Sequence, residues 1–149
     1  MFTLSIIRGG NILSSCCQTI VNPINCVGVM GKGLALEFKN RYPLMHDRYK
    51  DLCNNGLLSI GKLWLYKDED NDKNILNFPT KIHWKDDSCY EYIELGLSKF
   101  VESYSSRGIT SIAFPMLGCG CGKLDKEVVL DIMLKYLCRC ENLIVEIYY

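Results

Sequence analysis

The sequence lacks an excess of either charge. Its 17 basic and 17 acidic residues cancel. Coating nucleic acid without sequence preference needs a basic face, so the balance argues against that class, though it leaves room for a small basic rim at the mouth of a site. Long apolar runs are missing too. No stretch suits a bilayer span, and Met1–Gly10 holds only a short strand-like run in place of a secretory signal. Histidine is scarce: His46 and His83 are the only two. Repeats, linkers and low-complexity segments are absent. What remains is an ordinary globular composition, 48% apolar and 23% charged. The 149 residues fit a single domain, 1–149, which buries about 70% of its unfolded surface without a staple.

Cysteine is the one residue in surplus, with nine. The number is odd, and the spacing gives no disulfide framework, which predicts reduced thiols in the cytosol. Cys119-Gly-Cys121 and Cys138-Arg-Cys140 are closer together than zinc ligands usually stand. With so little histidine, the thiols read as buried or loop residues rather than a metal centre.

Period and punctuation give the elements. Thr3–Arg8 alternates and predicts a strand. Cys17–Val21 predicts a central strand that Pro23 ends. Helices follow over Leu34–Arg41, stopped at Tyr42-Pro43, and over Leu44–Cys53, closed by Asn54-Asn55-Gly56. Lys62–Tyr66 and Asn74–Phe78 form a hairpin around a solvated turn, Lys67–Lys73. Cys89–Ser105 has a helical period and a glycine stop at Gly108. Ser111–Pro115 is a strand, Lys126–Cys138 a helix and Leu143–Tyr148 a last strand. This alternation predicts an α/β layered domain with helices on both faces of a mixed sheet.

Two glycine-rich loops stand between a strand and a helix. The first is Asn25–Gly33, with Gly28, Gly31 and Gly33. The second is Leu117–Gly122, LGCGCG. Glycines admit a close backbone approach to an anion, and a helix start offers unpaired N–H groups at a positive dipole end. A nest of N–H groups over LGCGCG is one reading, a plain connector the other. Together the loops suggest one ligand with two phosphates held at the strand ends. Neither loop is a standard nucleotide motif. Gly33 follows Lys32 where a P-loop needs Ser or Thr, and the glycines do not make G-x-G-x-x-G.

Other residues have two readings each. Asn22 and Asn25 have amides suited to sugar hydroxyls, or serve as turn asparagines bonded to their own backbone beside Pro23. The glycine loop favours a ligand role for Asn25 and leaves Asn22 open. Lys81 in Asn77–Trp84, NFPTKIHW, is either a solvated surface charge or, if held beside the cleft, a nucleophile or base. His83 is a general acid–base group or a polar loop residue. Trp84 is half core and half platform for a ring. Asp125 reads as a helix N-cap before an acid catalyst.

The segments VNPINCVGVMGKGLALEFKNRYP, NFPTKIHW and FPMLGCGCGKLD, in this order, resemble the macrodomain family. The resemblance runs from Gly10 to the last strand. It is closest to the branch that holds DarG antitoxins and terminal ADP-ribose glycohydrolases. It implies a three-layer α/β/α fold with a central mixed sheet, an ADP-ribose cleft and no cofactor. It also implies roles. Asn11, with Ile12 beside it, falls where macrodomains read adenine. Asn22 and Asn25 match the asparagines near the distal ribose. The loop from Cys26 through Val29, Met30, Gly31 and Lys32 to Gly33 passes that ribose and the diphosphate. Leu117, Gly118, Cys119, Gly120, Cys121 and Gly122 form the second diphosphate loop. Lys81, beside Thr80, matches the lysine that attacks the anomeric carbon in this branch. The glycohydrolase carries an Asp in its second loop; here Gly122 stands there, as in DarG-like chains.

The expected activity is therefore an ADP-ribosyl hydrolase. Its substrate would be ADP-ribosylated DNA thymidine, a protein carboxylate ester or ADP-ribose 1″-phosphate. Lys81, His83, Trp84 and Lys85 would offer a basic, aromatic rim to single-stranded DNA. The alternative is a module that binds ADP-ribose unchanged. The expected protein is a monomer with no membrane partner.

Overall fold

A computed structural model describes residues 1–70 and 72–149. The expected turn at Lys67–Lys73 includes Asn71, which lies outside the described residues. Six strands form one sheet: β1 (Thr3–Ile7), β2 (Thr19–Asn25), β3 (Trp64–Asp68), β4 (Lys73–Lys81), β5 (Ser111–Pro115) and β6 (Ile144–Tyr148). Their spatial order is β1-β6-β5-β2-β4-β3. All neighbours are parallel except β3, which runs antiparallel to β4 at one edge. Four helices connect them: α1 (Gly33–Arg41), α2 (Pro43–Asn54), α3 (Tyr90–Ser103) and α4 (Lys126–Leu137). The predicted α/β/α class and mixed sheet are what the structure has.

Strand alternation sends side chains to two cores. On one face Ile20, Ile24, Ile75 and Ala113 pack with Phe38 of α1 and with Met45 and Tyr49 of α2. On the other, Val21, Leu76, Phe78, Ile112 and Phe114 pack with Ile93 and Phe100 of α3 and Met133 of α4. Neighbouring residues such as Ile20 and Val21 therefore serve opposite layers, as the period of two requires. Gly96 on α3 lies against Phe78, where a Cβ would come within 2.2 Å of the ring. Only glycine lets α3 sit this close to β4.

Strand bounds differ from expectation: β3 lies two residues later than Lys62–Tyr66, and two prolines do not end their strands. Pro23 does not end β2, which runs on to Asn25. Pro79 does not end β4, which runs on to Lys81. In both cases the chain has outrun one of its neighbours. The β2–β5 ladder stops at Ile20–Ala113, and the β3–β4 ladder stops at Trp64–Asn77. Beyond those points each strand pairs on one side only, and a residue without an N–H is tolerated. A short 3-10 turn, Ile12–Ser14, was also unforeseen. Among the described residues all nine cysteines are free, and no helix is long and apolar enough to cross a membrane.

Candidate active site

The C-terminal ends of β5, β2 and β4 lie side by side, and a cleft of about 790 Å³ opens there. Its walls bring together the first loop (Asn25, Val29, Gly31, Lys32, Gly33), the end of β4 (Thr80, Lys81) and the second loop (Gly118, Gly120, Cys121, Gly122). The cleft lies at the point where β2 and β5 part company, flanked by Pro23 and Pro115.

The first loop is built from its own asparagine. Asn25 Oδ1 accepts from the amides of Val27 (3.1 Å) and Val29 (3.3 Å), and its Nδ2 donates to the Val29 carbonyl (2.7 Å). The Tyr49 hydroxyl lies 2.7 Å from Asn25 Oδ1 and 2.8 Å from the Asn25 carbonyl, donating its one proton to that pair. Burial pushes the Tyr49 phenol up. Asn25 thus fills the backbone-bonding role expected of a turn asparagine, while still lining the cleft. The loop then runs into α1, whose N-cap, Lys32, supplies no side-chain bond, and whose first turn holds no acid. Gly33, Leu34 and Ala35 line the cleft, so these orphan donors face it. The start of α4 is different. Asp125 caps it, accepting from Glu127 N (2.9 Å) and Val128 N (3.2 Å). One helix end is closed by its own side chain, and the other has no side-chain cap among the described residues.

The second loop is tied at its ends and open in its middle. Leu124 N donates to the Gly118 carbonyl (2.9 Å) and Lys123 N to that of Gly120 (3.1 Å). Ser88 clamps the loop from below: its amide donates to the Gly122 carbonyl (3.0 Å) and its hydroxyl to that of Thr80 (2.5 Å). Among the described residues the amides of Gly120, Cys121 and Gly122 donate to no protein acceptor, as an anion nest requires. Gly118 has φ +73°, and Gly122 would place a Cβ 2.5 Å from the Gly118 oxygen. Burial pushes the Cys119 thiol up to about 11, so it is a neutral packing group.

Lys81 is 8% exposed and stands on the cleft wall. A bulge places it. Ile24 pairs with Pro79 but Asn25 pairs with Lys81, so Thr80 is skipped and the last side chain is re-aimed. Lys81 Nζ donates to the Trp84 carbonyl (2.9 Å) and lies 3.5 Å from that of Cys121. Among the described residues no carboxylate comes within ion-pair distance of it. Of the two sequence readings, the solvated surface charge is the one the geometry discards.

Several expected contacts fall outside the cleft lining. Asn22 is fully buried, donating to Asn77 Oδ1 (3.0 Å) across the β2–β4 ladder, and its own Oδ1 has no partner among the described residues. Ile12, Met30 and Leu117 point into the cores, and Cys119 packs against one. Asn11 caps the 3-10 turn through Leu13 N (3.0 Å). His83 accepts from the Lys85 amide at Nδ1 (3.1 Å), a turn role. Tyr49 and Ser88 were missed. Both come from distant elements, and no local pattern marks them.

This geometry identifies the class. The Macro domain family matches residues 21–133, and the chain belongs to that family. Within it, the chain is 44% identical over 122 residues to a DNA ADP-ribosyl glycohydrolase of Mycobacterium tuberculosis, covering 80% of this chain and 35% of that protein. The macrodomain of Mycobacterium tuberculosis DarG superposes with a TM-score of 0.92 at 39% identity, covering 99% of this chain and 97% of that one. Thermosipho africanus DarTG in complex with ADP-ribose gives 0.91 at 41% identity, over 98% of this chain and 41% of that one. The chain spans 32–40% of the length of the curated relatives it matches.

Proposed function

We propose that this macrodomain is an ADP-ribosyl glycohydrolase that removes ADP-ribose from DNA, with Lys81 as nucleophile. One observation carries the reading: a buried lysine amine lies on the wall of a cleft between two backbone anion cradles, where a surface lysine would turn to water. The names of the relatives favour DNA as the macromolecule, and the basic, aromatic rim of Trp84 and Lys85 suits a single strand across the mouth. The diphosphate of ADP-ribose lies against the start of α1 and the amides of Gly120–Gly122. The distal ribose is then carried toward Lys81. The Lys81 amine attacks C1″, forming an N–C1″ bond and giving up a proton. The bond from C1″ to the attached base breaks, its electron pair leaves with the base, and the base takes up a proton. Water next attacks C1″, restoring the amine and releasing ADP-ribose. The sum is hydrolysis.

Lys81→Ala removes turnover and keeps ADP-ribose binding. Borohydride added during turnover reduces the ring-opened imine of the adduct, leaving a mass increase on Lys81. Full activity of Lys81→Ala on ADP-ribosylated DNA would end the covalent mechanism. A second reading, ADP-ribose binding without turnover, has its own observation. Asp125 is committed to the α4 cap, Gly122 has no side chain, and Asp87, the carboxylate that lines the cleft, lies 3.8 Å from Lys123 Nζ; among the described residues no carboxylate pairs with Lys81. Absence of release from DNA with excess enzyme over hours, alongside micromolar binding, would favour that reading.

A further inference from the structure

Trp84 is 46% exposed at the cleft mouth beside Ile82, which is 51% exposed. The fold does not need the indole there. The turn that carries it is closed by the Asp86 amide on the His83 carbonyl (3.1 Å) and by the His83 ring on the Lys85 amide. Lys85 Nζ lies 5.2 Å from the indole centroid, and the His83 ring is tilted against it at 5.4 Å. The other end of the same residue is engaged, since the Trp84 carbonyl holds Lys81 Nζ at 2.9 Å.

We propose that the Trp84 ring is a stacking platform for a nucleobase of single-stranded DNA next to the modified nucleotide, and that its carbonyl ties this stacking to the position of Lys81. The inference rests on the reading that DNA carries the ADP-ribose. An indole that sits at the mouth and is backed by a cation suits a base, because every base has a π-face. Charge agrees. Lys32, Lys85 and Lys123 stand around the same cleft, and of the nearby acids Asp87 is turned to Lys123 at 3.8 Å while Asp86 is exposed. Exposed Val27 and Val29 extend the apolar rim, and the Cys26 amide joins the first loop to the turn that carries Trp84 through the Ile82 carbonyl (3.0 Å). A duplex hides its base faces in the stack, so the platform selects an unpaired strand. Trp84 is a positioning residue: a base seated on its ring fixes the turn whose carbonyl holds the amine.

The test compares kcat/KM on a single-stranded ADP-ribosylated oligonucleotide with kcat/KM on the isolated ADP-ribosylated nucleoside. Wild-type protein prefers the oligonucleotide. Trp84→Ala loses about tenfold or more of that preference, with KM rising and kcat falling, and Trp84→Phe restores most of it. In a Trp64→Phe protein the remaining indole fluorescence is quenched by unmodified single strands and far less by duplex. If wild type is active on the oligonucleotide and Trp84→Ala keeps its preference, the stacking role is overturned while the activity stands. If wild type releases nothing from DNA, the assigned activity fails and this inference fails with it.

Discussion

Gly120 and Gly122 separate the cradle's shape from its occupancy, and one alanine at each tests both. At Gly122 a Cβ meets the Gly118 oxygen at 2.5 Å and Ser88 Cβ at 2.9 Å. The obstacle is backbone, so the loop itself must move. That movement strains the bonds from Leu124 N to Gly118 and from Ser88 N to Gly122. Overpacking costs about 1–3 kcal/mol and each lost hydrogen bond about 1 kcal/mol. A net loss of about 2 kcal/mol lowers Tm by about 4–8 °C in a domain of this size. At Gly120 a Cβ meets no atom within 4 Å, and the residue lines the cleft. Gly120→Ala therefore holds Tm within about 2 °C of wild type, a surface-scale effect of about 0.5 kcal/mol. Its methyl group nevertheless takes space that a diphosphate needs against the free amides, and ADP-ribose affinity drops about tenfold or more, which is about 1.4 kcal/mol. Differential scanning fluorimetry and calorimetric titration with ADP-ribose read the two quantities. Wild-type affinity in Gly120→Ala would show that the diphosphate does not lie on this loop. An unshifted Tm in Gly122→Ala would refute the packing argument.

Other perturbations probe neighbouring parts. Lys32→Ser gives α1 its missing side-chain cap and should exceed Lys32→Ala in stability by about 1 kcal/mol in urea, yet bind ADP-ribose more weakly, because the new hydroxyl occupies a donor the ligand uses. Gly96→Ala drives a methyl into the Phe78 ring, and the strain outweighs the helix-propensity gain of about 1 kcal/mol, so urea melts should show a net loss. Tyr49→Phe removes the donor beneath Asn25 at a cost of about 1–3 kcal/mol, and hydrogen exchange at Val27 and Val29 should quicken. Burial raises the Cys26, Cys119 and Cys140 thiols from 9.0 to about 11. The unfolded chain ionises first, so stability is whole below pH 9 and falls as the pH rises toward 11; a flat Tm over that window would contradict the burial.

Much of this site is legible in the chain because its signals are local. Glycine spacing marked both loops, and Asp125 before an apolar period marked the α4 cap. What escaped was set by neighbours distant in sequence. Pro23 and Pro79 read as strand ends because a proline breaks a two-sided ladder, and the sequence does not say that β5 and β3 have already stopped. Asn22 and Asn25 look alike on paper. In the fold, Asn22 is buried against Asn77 of β4, while Asn25 meets a tyrosine from α2. Ser88 is an isolated serine in a loop until β4 and the second glycine loop close around it. Met30 and Leu117 turned inward to the two cores, so a loop that lines a cleft does so with only part of its residues.

The location of the cleft follows from the sheet's own irregularities. β2 is central, yet its ladder with β5 is short, and the gap between the two strands opens at the end where α1 begins. Filling that gap with side chains would cover the N–H groups of α1 and the second loop. The chain places glycines there instead, and Ser88 beneath, so the donors stay uncovered. On the other side of β2 the ladder with β4 persists, and the bulge at Thr80 turns Lys81 into the same gap. An amine in a low-dielectric wall is costly unless its hydrogens are met, and two carbonyls meet them. One of those carbonyls belongs to the turn at the mouth and the other to the second loop, so the amine's position reports the state of both. A ligand that seats in the cradle and leans on the mouth therefore acts on this amine from two sides. A lysine on a free surface, with its side chain tethered only to its own strand, would have no such coupling.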